Sequence, residues 1–82
     1  MLQQAIILET LALIEEDNSV PKNVRAKIKA TISLIKEENG VSAEVKKDQV
    51  LQQLEDLGGD PNMPAYTRTQ LLQVVSNLES GQ

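Results

Sequence analysis

Three observations predict an all-α fold, a four-helix up-and-down bundle built from two duplicated αα-hairpins. Apolar residues recur at helical spacing in four segments, and nothing in the chain alternates with period two. Two stretches, residues 17–25 (DNSVPKNVR) and residues 58–68 (GGDPNMPAYTR), read as helix stop, turn and helix start. The chain also resembles itself at a shift of 43 positions. Leu8 then meets Leu51, Leu11 meets Leu54, Asp17 meets Asp60, Pro21 meets Pro64, Arg25 meets Arg68 and Ser33 meets Ser76. Conservative matches join them, among them Ile14 with Leu57, Val20 with Met63, Ile28 with Leu71, Ile32 with Val75 and Ile35 with Leu78. The repeats are expected over about residues 5–38 and 42–80 of one domain covering residues 1–82.

The first helix is expected over about residues 2–16. Ile7, Leu11 and Ile14 share a face, with Leu8 at its edge. Glu15, Glu16 and Asp17 crowd its C-terminal end, where the helix dipole disfavours negative charge, so basic groups at the start of the second helix should lie nearby. Asn18 or Ser19 is a candidate cap for that second helix, and Pro21 suits its first turn. It is expected over about residues 21–38, with Val24, Ile28, Ile32 and Ile35 facing inward, and Asn39-Gly40 ending it.

The third helix is expected over about residues 42–57. Val50, Leu54 and Leu57 face inward, with Leu51 beside them and Val45 nearer the start. Gly58-Gly59 stops it, and Asp60, Pro61 and Asn62 make the turn. The fourth helix begins near Pro64 and reaches about residue 78 through Leu71, Val74, Val75 and Leu78, and the tail beyond should fray. Short connections make sequential helices antiparallel neighbours.

Composition narrows function by exclusion. The chain has no Cys and no His, so it has no thiolate nucleophile, no Cys-type zinc site and no imidazole base. No catalytic, cofactor-binding or metal-binding residue set is read from it. The net charge of −4 disfavours nucleic acid, and Tyr66, the sole aromatic residue, cannot build a base-stacking platform. The longest apolar stretch, residues 5–14, is interrupted by Glu9 and is too short to span a bilayer, so a soluble cytoplasmic protein is expected, with no membrane partner.

The two turns carry a resemblance. EEDNSVPKNVR followed by GGDPNMPAYTRT is similar to the small, mostly archaeal family catalogued as uncharacterised protein family 0147. The resemblance covers about residues 8–78, and DPNMP-x-x-TR is its specific part. It implies an all-helical bundle of this length and brings no known activity. The family pattern also accepts His where Tyr66 stands, which argues against phenol chemistry there. More loosely, the order Asp, Pro, Val-Arg before an amphipathic helix resembles the turn of a HEAT repeat, whose arrays bind proteins along stacked helices.

Asp17 with Arg25, and Asp60 with Arg68, are read as structural, each Asp bracing its turn and each Arg holding the turn from the following helix, together with Pro21 and Pro64. Asp60-x-Asn62 is not a calcium loop, because Pro64, Ala65 and Leu71 stand where ligands or Gly are needed. Gly58-Gly59 has no preceding strand or following Gly-Lys-Ser/Thr, so it is no phosphate loop. Lys22, Arg25, Lys29 and Lys36 share one side of the second helix, as a solvated face paired with Glu residues or a stripe for RNA or an acidic partner. Tyr66 is expected to pack over the bundle end.

Leu2, Ile6 and Leu13 form a second apolar stripe on the first helix, away from its core face. The alternatives are a homodimer through that helix or cover from a loop or the tail. The expected function is a non-enzymatic helical interaction module or adaptor subunit whose partner is another protein. The alternative is an RNA- or ribosome-associated accessory protein.

Overall fold

A computed structural model of the chain describes residues 2–37 and 40–80, with side chains from Gln4 onward. Helix α1 spans Leu2–Glu16, α2 Lys22–Lys36, α3 Ala43–Gly58 and α4 Ala65–Glu79. Each helix packs on its neighbours in the chain, and α4 closes the ring on α1, while the diagonal pairs α1 with α3 and α2 with α4 do not meet among the described residues. That ring is the four-helix up-and-down bundle, and the fold is all-α. Its radius of gyration of 12.0 Å is close to the roughly 11.7 Å expected for a compact chain of this length.

The core is aliphatic. Ile7, Leu11 and Ile14 from α1, Val24 and Ile28 from α2, Val50, Leu54 and Leu57 from α3, and Leu71 and Val74 from α4 are buried together. Burying each such side chain stabilises the fold by about 1.5–3 kcal/mol, which is what holds these helices as helices. Val20 and Met63, from the two turns, also enter the core. So do two threonines, Thr31 and Thr67, at 0% and 1% exposure. Seven of these buried residues belong to the first hairpin, and every one has a buried counterpart 43 positions on: 7 with 50, 11 with 54, 14 with 57, 20 with 63, 24 with 67, 28 with 71 and 31 with 74. Thr67 stands opposite Val24, and Thr31 opposite Val74, so each threonine matches a residue of its own shape.

Thr31 Oγ1 lies 2.9 Å from the Lys27 carbonyl and 2.6 Å from the Gln53 side-chain oxygen. A hydroxyl has one proton to give, so it serves one of these acceptors at a time. The pairing joins α2 to α3 through a polar contact at the edge of an aliphatic core.

Several expected details differ. Pro21 and Pro64 precede their helices rather than opening them, both extended at φ −55°, ψ 146° and φ −59°, ψ 146°. Their carbonyls accept the first helical hydrogen bonds, from the Arg25 and Arg68 N–H groups, each at 3.0 Å. Neither Asn18 nor Ser19 caps α2 with its side chain. Ser42 does cap α3, accepting the Val45 N–H at 3.2 Å. α3 runs through Gly58, and Gly59 ends it in the right-handed region. Gly40, at φ 83°, does take the left-handed conformation, in the loop after α2 rather than beside its last turn. The expected end of α2 at Glu38, the Asn39 turn residue and the last two tail residues fall outside the described residues. Ile32, Ile35, Val75 and Leu78 pack against the core only half-buried. Val45 is 46% exposed, a correction to its inward placement: five residues before Val50, it points well away from that face.

Candidate interaction surface

The two turns meet at one end of the bundle. In the first, the Asp17 carboxylate accepts the Ser19 N–H at 2.9 Å and the Ser19 hydroxyl at 2.7 Å. These bonds, with a lesser part from the Arg25 charge, hold the Asp17 carboxyl below its ordinary value of 3.8 against a small opposing cost of burial. In the second, Asp60 accepts the Asn62 N–H at 2.9 Å with one oxygen and the Asn23 side-chain amide at 3.2 Å with the other. Asn23 opens α2, so this bond ties the two hairpins together. Behind the side chains the backbone repeats, with Val20 N–H to Asp17 carbonyl at 3.1 Å and Met63 N–H to Asp60 carbonyl at 3.3 Å.

The arginines do different things. Arg68 Nη2 donates to the Asp60 backbone carbonyl at 2.9 Å, not to its carboxylate. Arg25 leaves its Nε buried without a hydrogen-bond partner among the described residues. Apart from the Asn23 bond to Asp60, the side-chain bonds of Asp17, Asp60 and Arg68 close within the turns, which is an arrangement for bracing chain reversals. Tyr66 does not pack over the bundle end: it is 72% exposed. By the shift of 43 it corresponds to Asn23, which reaches across to Asp60 instead.

The most unused chemistry lies on the outer sides of α1 and of α2. Ile6 and Leu13 are 51% and 59% exposed, so no described residue covers the stripe; the Leu2 side chain lies outside the description. Glu9 and Glu16 are exposed on the same outer side of α1. Helix α2 carries five cations, Lys22, Arg25, Lys27, Lys29 and Lys36, and no carboxylate. Lys22, Lys29 and Lys36 are all exposed. Their spacing of seven residues sets them in a row along the helix, about 10.5 Å apart. Between them α2 exposes Ala26 and Ser33, so the ridge is low.

On the next side of the bundle, α2 and α3 flank an open groove lined by Leu34, Val45, Asp48, Gln49, Gln52 and Gln53. Lys46, in the first turn of α3, donates from Nζ to the Glu37 carbonyl and anchors that helix to the end of α2. No described group of three His, Cys, Asp or Glu side chains is arranged to hold a metal ion. Among the described residues, no helix is long and apolar enough to cross a membrane.

The sequence pattern defining the uncharacterised protein family UPF0147 matches residues 1–80. The chain belongs to that family. Relatives named only as UPF0147 proteins are found in archaea. The protein of Saccharolobus solfataricus is 38% identical, with 96% of this chain and 85% of that one aligned. That of Thermoplasma volcanium is 33% identical over 96% of this chain and 91% of its own. That of Methanothermobacter thermautotrophicus is 34% identical over 90% and 72%. No solved structure matches the chain. Membership of UPF0147 brings no activity with it.

Sequence reasoning missed the contribution of Asn23 and the pairing of buried Thr31 with exposed Gln53. Asn23 had a signal, since it stands at the start of α2, level with the turns. Thr31 had one too: it falls on the Val24–Ile28 face, where a Thr passes for a Val in shape.

Proposed function

We propose that this chain is a non-enzymatic helical interaction module, a small adaptor subunit of the cytoplasm whose partner is a protein. One observation carries the reading. Helix α1 exposes Ile6 and Leu13 on its outer side and α2 exposes a row of lysines on its own, while the bonds of Asp17, Asp60 and Arg68 brace the turns. An exposed apolar pair is a surface that gains by being covered. The sequence supports a non-enzymatic role, because it supplies neither His nor Cys for acid–base or nucleophilic work. We also infer that the hairpins descend from one duplicated unit. The seven matched pairs of buried residues and the matched turn hydrogen bonds support this.

A second reading has its own observation. A row of three exposed lysines on a helix without carboxylates suits a polyanion, so the alternative is an RNA-associated accessory protein. Titration of generic RNA against salt separates the two. The interaction-module reading expects no more than weak binding at physiological salt. Tight binding that falls steeply with salt, and is lost in Lys22→Glu/Lys29→Glu/Lys36→Glu, would establish the RNA reading in its place.

A further inference from the structure

The aliphatic stripe of α1 and the lysine row of α2 lie on different sides of the bundle, and that offset decides how copies of this chain can meet. We propose that the chain associates head to tail, the outer line of α1 of one copy lying antiparallel on the outer line of α2 of the next, until the contacts close into a ring. This inference rests on the interaction-module reading and names the first partner, a second copy of the chain.

The outer line of α1 reads Ile6, Glu9, Leu13, Glu16, and all four are exposed. The outer line of α2 reads Lys22, Ala26, Lys29, Ser33, Lys36, also all exposed. One line is aliphatic and acidic. The other is small and basic. Each is centred about 150° round its helix from the buried line. The groove between α2 and α3 gives the sense of that turn. Leu34 lines it from α2, so the lysine row, on the opposite flank, leans toward α1. Gln49 lines it from α3 and is the counterpart of Ile6 at the shift of 43, so the stripe leans toward α4. Both lines are therefore turned the same way round the bundle. Neighbouring helices of a four-membered ring face its core about a quarter turn apart, and the two lines point about a quarter turn apart as well.

A two-fold axis parallel to the helices would need both lines on one face. A quarter turn about such an axis brings the α2 line of one copy onto the α1 line of the next, and about four such turns close the ring. The rotation keeps every residue at its own height along the helices. Because α1 ends at Glu16 and α2 starts at Lys22, Glu16 stands level with Lys22 and Glu9 with Lys29. Leu13 stands level with Ala26, and Ile6 with Ser33, to within about a residue. Glu16 and Glu9 of one copy then meet Lys22 and Lys29 of its neighbour. Leu13 and Ile6 settle over Ala26 and Ser33, whose small side chains let the helix axes approach. Pairing α1 with α1 covers the same leucine and isoleucine but sets Glu9, which lies between them, against the mate's Glu9, with repulsion where the head-to-tail contact has attraction. In the ring each copy gives one α1 line and receives another on its α2, so both lines are covered in every copy.

Sedimentation equilibrium of the full chain at micromolar concentration tests the ring, with circular dichroism to verify that each variant is folded. Wild type is expected as an assembly of about four copies. Lys22→Glu/Lys29→Glu should raise the concentration needed for assembly at least about tenfold, the effect of about 1.4 kcal/mol. If charge reversal costs the helical signal, Lys22→Ser/Lys29→Ser must weaken assembly in the same direction. The chain has no cysteine, so thiols introduced one per chain report which lines touch. A short bis-maleimide should join Leu13→Cys to Ala26→Cys in an equimolar mixture and leave either variant alone unlinked. A wild type that is monomeric, or that stops at a dimer, overturns the proposal. So do a folded lysine variant as assembled as wild type and a mixture that stays unlinked. Cross-linking of Leu13→Cys to itself would place α1 against α1 and overturns it too. The RNA titration does not depend on the assembly state, so failure of this ring and failure of the interaction-module reading are separate results.

Discussion

Hairpins α1–α2 and α3–α4 bury side chains at seven matched positions and expose mostly different ones at the positions between. Where α1 presents Ile6, Glu9, Leu13 and Glu16, the matched positions 43 residues on hold Gln49, Gln52, Asp56 and Gly59. Where α2 presents Lys22, Ala26, Lys29, Ser33 and Lys36, α4 holds Ala65, Thr69, Leu72, Ser76 and Glu79. The cores are therefore under one constraint and the surfaces under two. Packing tolerates little change in volume, so the inward positions stay aliphatic or threonine. The outward positions are free of that demand, and only the first hairpin sets aliphatic and acidic residues beside an all-basic helix.

The strongest way to break the matched-core half of this comparison is to empty the same site in both hairpins. Leu11 and Leu54 are 0% and 1% exposed, so Leu11→Ala and Leu54→Ala should each cost about 2–5 kcal/mol in urea unfolding, and by similar amounts. A cost confined to one hairpin would show that the shared positions do not carry shared packing.

The turns should respond less, and unequally. Asp60→Ala removes the acceptor of the Asn62 N–H and of the Asn23 amide, and should cost about 1–2 kcal/mol. Asp17→Ala should cost less, because the Asp17 carboxylate takes both of its hydrogen bonds from Ser19, within its own turn. Urea midpoints of the two variants measure the difference, and a larger loss at Asp17 would contradict the role given to the Asn23 bridge.

The smallest effect expected is that of pH. The Asp17 carboxyl is held below 3.8 in the fold, so its ionised form stabilises the protein. That contribution is whole above the ordinary value and is lost as pH falls through 3.8 and on through the lowered folded value. Asp17→Asn should flatten the fall in urea midpoint between about pH 6 and about pH 3, and an unchanged slope would remove Asp17 from the account.

Much of the fold was legible because helical periodicity and two turn signals agree. The Ile7–Leu11–Ile14 and Val50–Leu54–Leu57 faces are buried as their spacing predicts. What was not legible turns on residues that a scan for apolar spacing does not weigh. Thr31 and Thr67 fill aliphatic positions with a polar atom, and Val20 and Met63 enter the core from turns rather than from helices. Asn18 and Ser19 looked like caps, but Asp17 takes the Ser19 N–H and hydroxyl for the turn before α2 begins. Tyr66 looked like a lid and stands in solvent, and it is Asn23 that spans the two turns. The candidate surface was legible in its parts, the Ile6 and Leu13 stripe and the lysine row. Their common levels across two helices needed the ends of α1 and α2 in place.

The central claim is that the first hairpin, and not the second, carries the contact surface. Two leucines of similar exposure test it, Leu13 on α1 at 59% and Leu72 on α4 at 64%. Sedimentation equilibrium of Leu13→Glu and Leu72→Glu at matched concentration compares them directly. A monomeric Leu13→Glu protein beside a Leu72→Glu protein as associated as wild type is the result predicted here. Loss of association in Leu72→Glu with Leu13→Glu unaffected, or equal behaviour of the two, would contradict it.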